Sequence, residues 1–343
     1  MKIVWSPDHL GQSGHVELGA GVIEPGYECP ERLAYVLDRW RERGLGEELA
    51  PTAQSLDVAR RIHAPDYVDF LAEAWNLWTA AGYSGPALPM VWPTHNLRDD
   101  LKPKAIRALL GYYSFDGGSS FVAGTWTAVA SSYAVALTAA DLVAGGERVA
   151  FSGCRPPGHH AGRRTAGGYC YLNNAACAAE RLRERGASRV AVLDLDFHHG
   201  NGTQEIFWRR SDVLFVSLHG DPATEYPFFL GTAEETGAGE GEGFNLNLPM
   251  PAGSAFDVWG ESLEVACRKI AATGVDALVV SLGLDTFEGD PISHFRLKRE
   301  DYPRVGARLA ALGVPTVFVL EGGYAVADIG VNAVGVLEGF AGV

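Results

Sequence analysis

Asp196 and His198 stand two residues apart at the end of an aliphatic run, so if that run is a strand both side chains project to one face and can bite the same cation. Asp285, at the end of a second such run, is the best candidate for a third ligand. Two carboxylates and one imidazole would leave a coordination position open for water. Mixed oxygen and nitrogen ligation suits zinc, and iron(II) or cobalt(II) would also fit. Alone the pattern is weak, because a strand-end Asp more often caps a helix or closes a turn. The tandem His159-His160 and the Gly-Gly-Tyr ending at Tyr324 add what metal-assisted amide hydrolysis needs. One base takes a proton from water, and a donor opposite the metal stabilises the tetrahedral oxyanion.

These residues must be carried by a scaffold, and the alternation of short β-branched runs with longer helical patterns predicts a βαβ series closing into a parallel sheet. The expected strands are Lys2 to Trp5, Val149 to Ser152, Arg189 to Leu195, Val213 to Leu218, Ala277 to Leu282 and Thr316 to Leu320. Expected helices include Trp126 to Ala144, Asn174 to Arg185, Phe256 to Ala272 and Asp301 to Leu312. Parallel sheets bind ligands beyond the carboxyl ends of their strands. The His159-His160, Asp196-x-His198, Asp285 and Tyr324 segments all follow such runs. The fold class is therefore α/β, a single domain over residues 1–343 with a central parallel sheet flanked by helices. The stretch from Trp75 to Asp100, with three tryptophans and several prolines, reads as an inserted loop whose aromatics suit a subunit contact.

A net charge of −14 argues against a phosphate-binding surface, so nucleic acid is excluded as a partner, and a cationic ligand is compatible. The five cysteines show no C-x-x-C spacing, which indicates neither a disulfide framework nor a thiolate metal site. The N-terminal residues lack a long apolar stretch, and no run approaches the ~18 apolar residues of a membrane span. A cytoplasmic protein without membrane contact is expected. The Gly-rich Thr236 to Gly243 stretch reads as a turn, since no helix pattern follows its glycines.

The motifs PPGHHA, DLDFHHGNGTQ, GLDTFEGDP and EGGY resemble the arginase/deacetylase superfamily in its histone deacetylase branch. The resemblance runs over nearly the whole chain, and the N-terminal stretch, the Trp-rich insertion and SLHGDP look most like the bacterial acetylpolyamine amidohydrolases. It implies that Asp196, His198 and Asp285 hold one zinc ion per chain, that His160 is general base and then acid, that His159 gives electrostatic support, and that Tyr324 donates to the oxyanion. It also implies that Asp194 pairs with His159, while a second carboxylate found in some relatives is replaced here by Asn201. A potassium site close to the zinc would take Asp194, Ser217 and the carbonyls of Asp196, His198 and Leu218. Gly168 and Tyr169 would line a substrate tunnel, with Tyr226 as the facing wall.

The resemblance leaves two substrates in competition: N-acetylated polyamines or short acetyl-diamines, and acetylated lysine in proteins or peptides. Glu17 lies in an N-terminal loop similar to the polyamine branch, where an acidic mouth attracts a distal ammonium. The family's second acidic mouth position falls on Arg107, which disfavours long, multiply charged polyamines and leaves shorter acetyl-diamines or another acylated amine open. A ureohydrolase-like dimetal site is disfavoured, because Phe197 and His199 flank His198 where those enzymes place a further Asp. The insertion and the polyamine branch together predict a homodimer.

Overall fold

In the computed structural model, which describes residues 1–19 and 21–343, the aliphatic runs form ten strands. They are β1 (Lys2–Val4), β2 (Val16–Gly19), β3 (Val22–Pro25), β4 (Glu47–Leu49), β5 (Val149–Ser152), β6 (Val190–Asp194), β7 (Val213–Gly220), β8 (Asn245–Met250), β9 (Ala277–Leu282) and β10 (Thr316–Leu320). Eight of them make one sheet in the order β4-β1-β5-β10-β9-β6-β7-β8, and every neighbouring pair is parallel. β2 and β3 form a separate antiparallel hairpin.

The helices are α1 (Glu31–Arg43), α2 (Asp57–Ile62), α3 (Pro65–Ala80), α4 (Ile106–Tyr112), α5 (Thr125–Ala144), α6 (Asn174–Glu184), α7 (Asn201–Phe207), α8 (Phe256–Thr273), α9 (Tyr302–Ala310) and α10 (Val326–Ala341). They cover both faces of the sheet. Val190, Val192, Val213 and Val279 point into one core with residues of α2, α3, α5 and α6. The intervening Ala191, Leu193, Leu214 and Val280 point into a second core with α1, α8, α9 and α10. Every residue of β6, β7, β9 and β10 is buried. That two-sided burial is why these strands read as continuous aliphatic runs rather than alternating ones.

The six expected strands are present, and the α/β parallel architecture stands. The edge strands β4 and β8 went unread: one is three residues long with two glutamates, and the other carries two Asn and a Pro, composition tolerated at an edge. The insertion needs correction. Tyr67, Val68, Phe70, Leu71 and Ala74 form the buried stripe of α3, which continues to Ala80, so Trp75 and Trp78 are helical. The tryptophans are half-buried rather than exposed. Trp78 stacks on Tyr83 at 4.4 Å, and Trp92 donates to Ser114 Oγ at 3.2 Å. The exposed large apolar side chains from Trp75 to Leu101 are Leu77, Tyr83, Met90, Val91, Leu97 and Leu101.

The expectation about apolar runs also changes, since α5 is long and apolar enough by length and composition to cross a membrane. Most of it is enclosed, with Val129, Val135, Leu137 and Val143 in the first core, as befits a helix packed on the sheet beside α6.

Candidate active site

Four adjacent strands of the sheet, β5, β10, β9 and β6, end in the segments carrying His159-His160, Tyr324, Asp285 and Asp196-x-His198. Their neighbourhood brings distant parts of the chain together. The nearest ligand atoms of Asp196, His198 and Asp285 all lie within 4.8 Å of one another, and all three residues are buried. His198 Nδ1 is 3.2 Å from Asp196 Oδ1 and 3.0 Å from Asp285 Oδ2. The other oxygen of each carboxylate is anchored by main chain: Gly322 N donates to Asp196 Oδ2 at 2.8 Å, and Phe197 N donates to Asp285 Oδ1 at 2.8 Å.

This donor set fits a divalent cation. Burial, with the neighbouring charge of Asp196, pushes the Asp285 carboxyl up to about 8. The His198 imidazole is pushed up to about 10, because against burial the hydrogen bonds and charges of Asp196 and Asp285 favour its cation. Two buried carboxylates and an imidazole thus compete for positive charge, which a metal supplies. The space between them is kept open by glycine: a Cβ on Gly322 would fall 2.5 Å from oxygens of both Asp196 and Asp285.

The tandem histidines have different partners. His159 Nδ1 lies 3.0 Å from Asp194 Oδ2, and His160 Nδ1 lies 2.7 Å from Asn201 Oδ1. Against burial, the charges of Asp196 and Asp194 push the His159 imidazole up to about 10. Burial and then the charges of His159 and His198 hold His160 well below the ordinary imidazole range, so it is neutral. With the Nδ1 proton donated to Asn201 Oδ1, the free acceptor on His160 is Nε2.

Both histidines lie in an irregular segment, and its main chain is held from two sides. The buried Glu321 carboxylate accepts Gly158 N at 2.7 Å and His159 N at 3.2 Å, joining this loop to the one that carries Tyr324. Asn173 caps α6, accepting Ala176 N at 2.9 Å, and donates its amide to Ala161 O at 3.1 Å.

Tyr324 is buried and follows Gly323, whose φ of 122° no other residue adopts readily. Its N–H donates to Asp290 Oδ2 at 2.7 Å, and the Arg32 guanidinium sits 4.9 Å from its ring centroid. Tyr324, His160 and His198 line a cavity of about 470 Å3 together with Gly168, Tyr169 and Tyr226. Gly168 has φ +51°, and a Cβ there would fall 2.3 Å from His160 Cδ2 and 2.9 Å from Tyr226 Oη. The half-exposed Glu17, Glu24 and Asp116 also line the cavity, and no lysine or arginine does so among the described residues. Tyr169 donates its hydroxyl to Glu17. Arg107 is on the exposed side of α4 and does not line the cavity.

Asp194 and Ser217 are register partners on β6 and β7. Ser217 Oγ is 2.8 Å from His219 Nδ1, and His219 Nε2 is 2.8 Å from Gly231 O. The carbonyl fixes the His219 proton on Nε2, so Ser217 donates to Nδ1 and keeps its oxygen lone pairs free.

Four residues at this site escaped sequence reasoning. Glu321 stood inside a noted motif without a role, and Glu24 without its strand register gave no signal. Asp290 follows Asp285 in GLDTFEGDP without showing that it would hold Tyr324. Asp116, before a Gly-Gly pair, accepts Gly118 N and Gly168 N at 3.0 Å each and Tyr226 Oη at 2.6 Å. An acid ahead of two glycines hints at such N–H capture.

A family model described as the histone deacetylase domain matches residues 26–340, and the chain belongs to the histone deacetylase family. It is 52% identical over 343 residues to acetylpolyamine amidohydrolase 2 of Pseudomonas aeruginosa, covering 100% of this chain and 99% of that one. Identity to the acetylpolyamine amidohydrolase of Mycoplana ramosa is 48%, with 100% of both chains covered. A crystal structure of acetylpolyamine aminohydrolase from Burkholderia pseudomallei superposes with a TM-score of 0.95 at 38% identity, covering 99% of this chain and 98% of that one. The resemblance read from the motifs is thereby borne out.

Proposed function

We propose that this hydrolytic deacetylase is zinc-dependent and converts N-acetylated polyamines or short acetyl-diamines to the free amine and acetate. The observation that carries this reading is the cavity itself, which opens onto His198 of the buried Asp-His-Asp set and is lined by Glu17, Glu24 and Asp116, with no lysine or arginine among the described residues. The curated relatives named above as acetylpolyamine amidohydrolases support it.

Asp196, His198 and Asp285 would hold the zinc, with iron(II) or cobalt(II) as possible substitutes. When bound, the ion supplies Lewis acidity, polarising the acetyl carbonyl and making water more acidic. Neutral His160 accepts the proton of the attacking water at Nε2 and returns it to the leaving amine. His159, paired with Asp194 at 3.0 Å, gives electrostatic and hydrogen-bond support beside the developing oxyanion. Tyr324 donates its hydroxyl to that oxygen, and Tyr169 and Tyr226 flank the methylene chain. Glu17, with Glu24 and Asp116, draws in the distal ammonium.

The lone pairs of Ser217 beside Asp194 support a structural potassium site completed by the carbonyls of Asp196, His198 and Leu218. A homodimer is supported by the exposed Met90, Val91, Leu97 and Leu101 of the insertion. Five free cysteines support a cytoplasmic location. Side-by-side assays on N-acetylputrescine, N-acetylcadaverine, acetylspermidine and an acetyl-lysine peptide test the substrate. Turnover of the acetylated amines should exceed that of the peptide, and the opposite order overturns the polyamine reading.

A further inference from the structure

We propose that His63, which does not line the cavity, is a positioning residue that fixes where the His159-His160 pair stands. Its kinetic consequence rests on the amidohydrolase reading above.

Residues 154 to 162 form neither helix nor strand, so their buried polar groups must find partners elsewhere. Glu321 takes the N–H side. On the carbonyl side, Thr203 N donates to His159 O at 3.2 Å, Asn173 Nδ2 donates to Ala161 O at 3.1 Å, and His63 Nδ1 donates to Gly162 O at 2.7 Å. The same His63 ring accepts Asn173 N at Nε2, 3.0 Å away, which fixes its proton on Nδ1. One ring therefore bridges the end of the catalytic segment and the first turn of α6. Asn173 in turn donates to Thr203 Oγ1 at 3.0 Å, linking the bridge to α7, which begins at Asn201, the partner of His160.

The ring is itself held. It is fully buried and lies 5.6 Å from the Tyr67 ring. The main-chain N–H of His63 donates to Ala59 O at 2.7 Å to close α2, and Ala64 N donates to Arg163 O at 2.7 Å just beyond. His160 has little room to drift, with Asn201 at 2.7 Å and only a glycine at position 168 beside its ring. Catalytic groups must stay within about 0.5 Å of their working geometry, and a misplacement of about 1 Å can cost about a hundredfold in rate. A bridge acting on the main chain of residues 159 to 162 controls that margin.

Three variants separate this role from simple stabilisation. His63→Phe fills the space and drops both bonds, His63→Asn keeps a donor for Gly162, and His63→Gln keeps an acceptor for Asn173. With all variants folded, His63→Phe should retain its metal and a KM within about threefold, while kcat falls about ten- to hundredfold. His63→Asn should recover most of the loss, and His63→Gln less. A kcat within about twofold of wild type in His63→Phe, with only Tm lowered, overturns the proposal. If His63→Phe does not fold, equal kcat for the Asn and Gln variants overturns it instead. The His159 Nδ1 proton shared with Asp194 provides a readout without turnover. Its downfield NMR resonance should move in His63→Gln and return in His63→Asn, and an unmoved resonance overturns the positioning role. A wild type inactive on every acetylated amine, with the resonance moving as expected, would overturn only the amidohydrolase reading.

Discussion

Glu17 stands directly opposite Glu24 across the β2–β3 hairpin, two carboxylates in register beside the same cavity. Like charges in that relation repel. The Glu17 carboxyl is pushed upward by burial, with Glu24 and Asp116 adding to the rise, so a cationic substrate relieves a strain the free protein carries. Glu24→Gln should raise KM for an acetylated diamine about three- to tenfold, the range expected of a partly solvated ion pair, with kcat nearly unchanged. Kinetics at low and high salt check this, and an unchanged KM at low salt would remove Glu24 from the recognition of the amine.

Tyr324→Phe keeps the ring beside Arg32 and loses only the hydroxyl. Removing one oxyanion donor costs about 3 kcal/mol, so kcat should drop about a hundredfold or more while KM and metal content hold. Measuring kcat, KM and Tm together decides it. Near-normal turnover with an altered Tm would make the tyrosine a packing residue.

Asp285→Ala should leave the protein with far less than the expected one zinc per chain, because both remaining ligands sit on a single loop. Elemental analysis of the purified variant tests this, and full zinc occupancy would strike Asp285 from the ligand set.

Gly168→Ala places a methyl against the His160 ring and asks a non-glycine residue to hold φ +51°. The backbone term alone is about 1–2 kcal/mol. We expect kcat/KM to fall at least about tenfold, since the ring that must yield is the proposed base. Wild-type kinetics in a folded Gly168→Ala protein would show that His160 has room to spare.

Acid should weaken the fold through His63, whose imidazole is lowered to about 4, first by burial and in smaller part by Arg163. The folded protein keeps this ring neutral, whereas the unfolded chain takes up a proton below about pH 6.5. The unfolded state thus binds more protons in the window between, and stability present above pH 6.5 is lost as pH falls toward 4. Between pH 7 and pH 5 the loss from this residue is about 2 kcal/mol. Urea melts at both pH values should show it, and the pH dependence should shrink in His63→Gln.

The convergence of this site was legible because parallel strands present residues beyond their carboxyl ends, and four such ends could be read from the aliphatic runs. Strand periodicity did not set Asp196 and His198 together, since β6 stops at Asp194 and both lie in the bend that follows. Glu321, Asp116, Asp290 and His63 were not legible, because their partners are mainly main-chain N–H and C=O groups, which every residue carries and no pattern reveals. The helix through Trp75 and Trp78 was hidden for another reason. Tryptophans and the prolines that follow them suggested an irregular excursion, although the buried stripe of α3 had already begun at Tyr67.

The anchoring of Asp196 by Gly322 and of Asp285 by Phe197 means that each ligand-bearing loop is clasped by the main chain of another. Assembly of the pocket therefore does not await the ion. Apoprotein should accumulate as a native, dormant pool that chelators create without unfolding and that added metal returns to work.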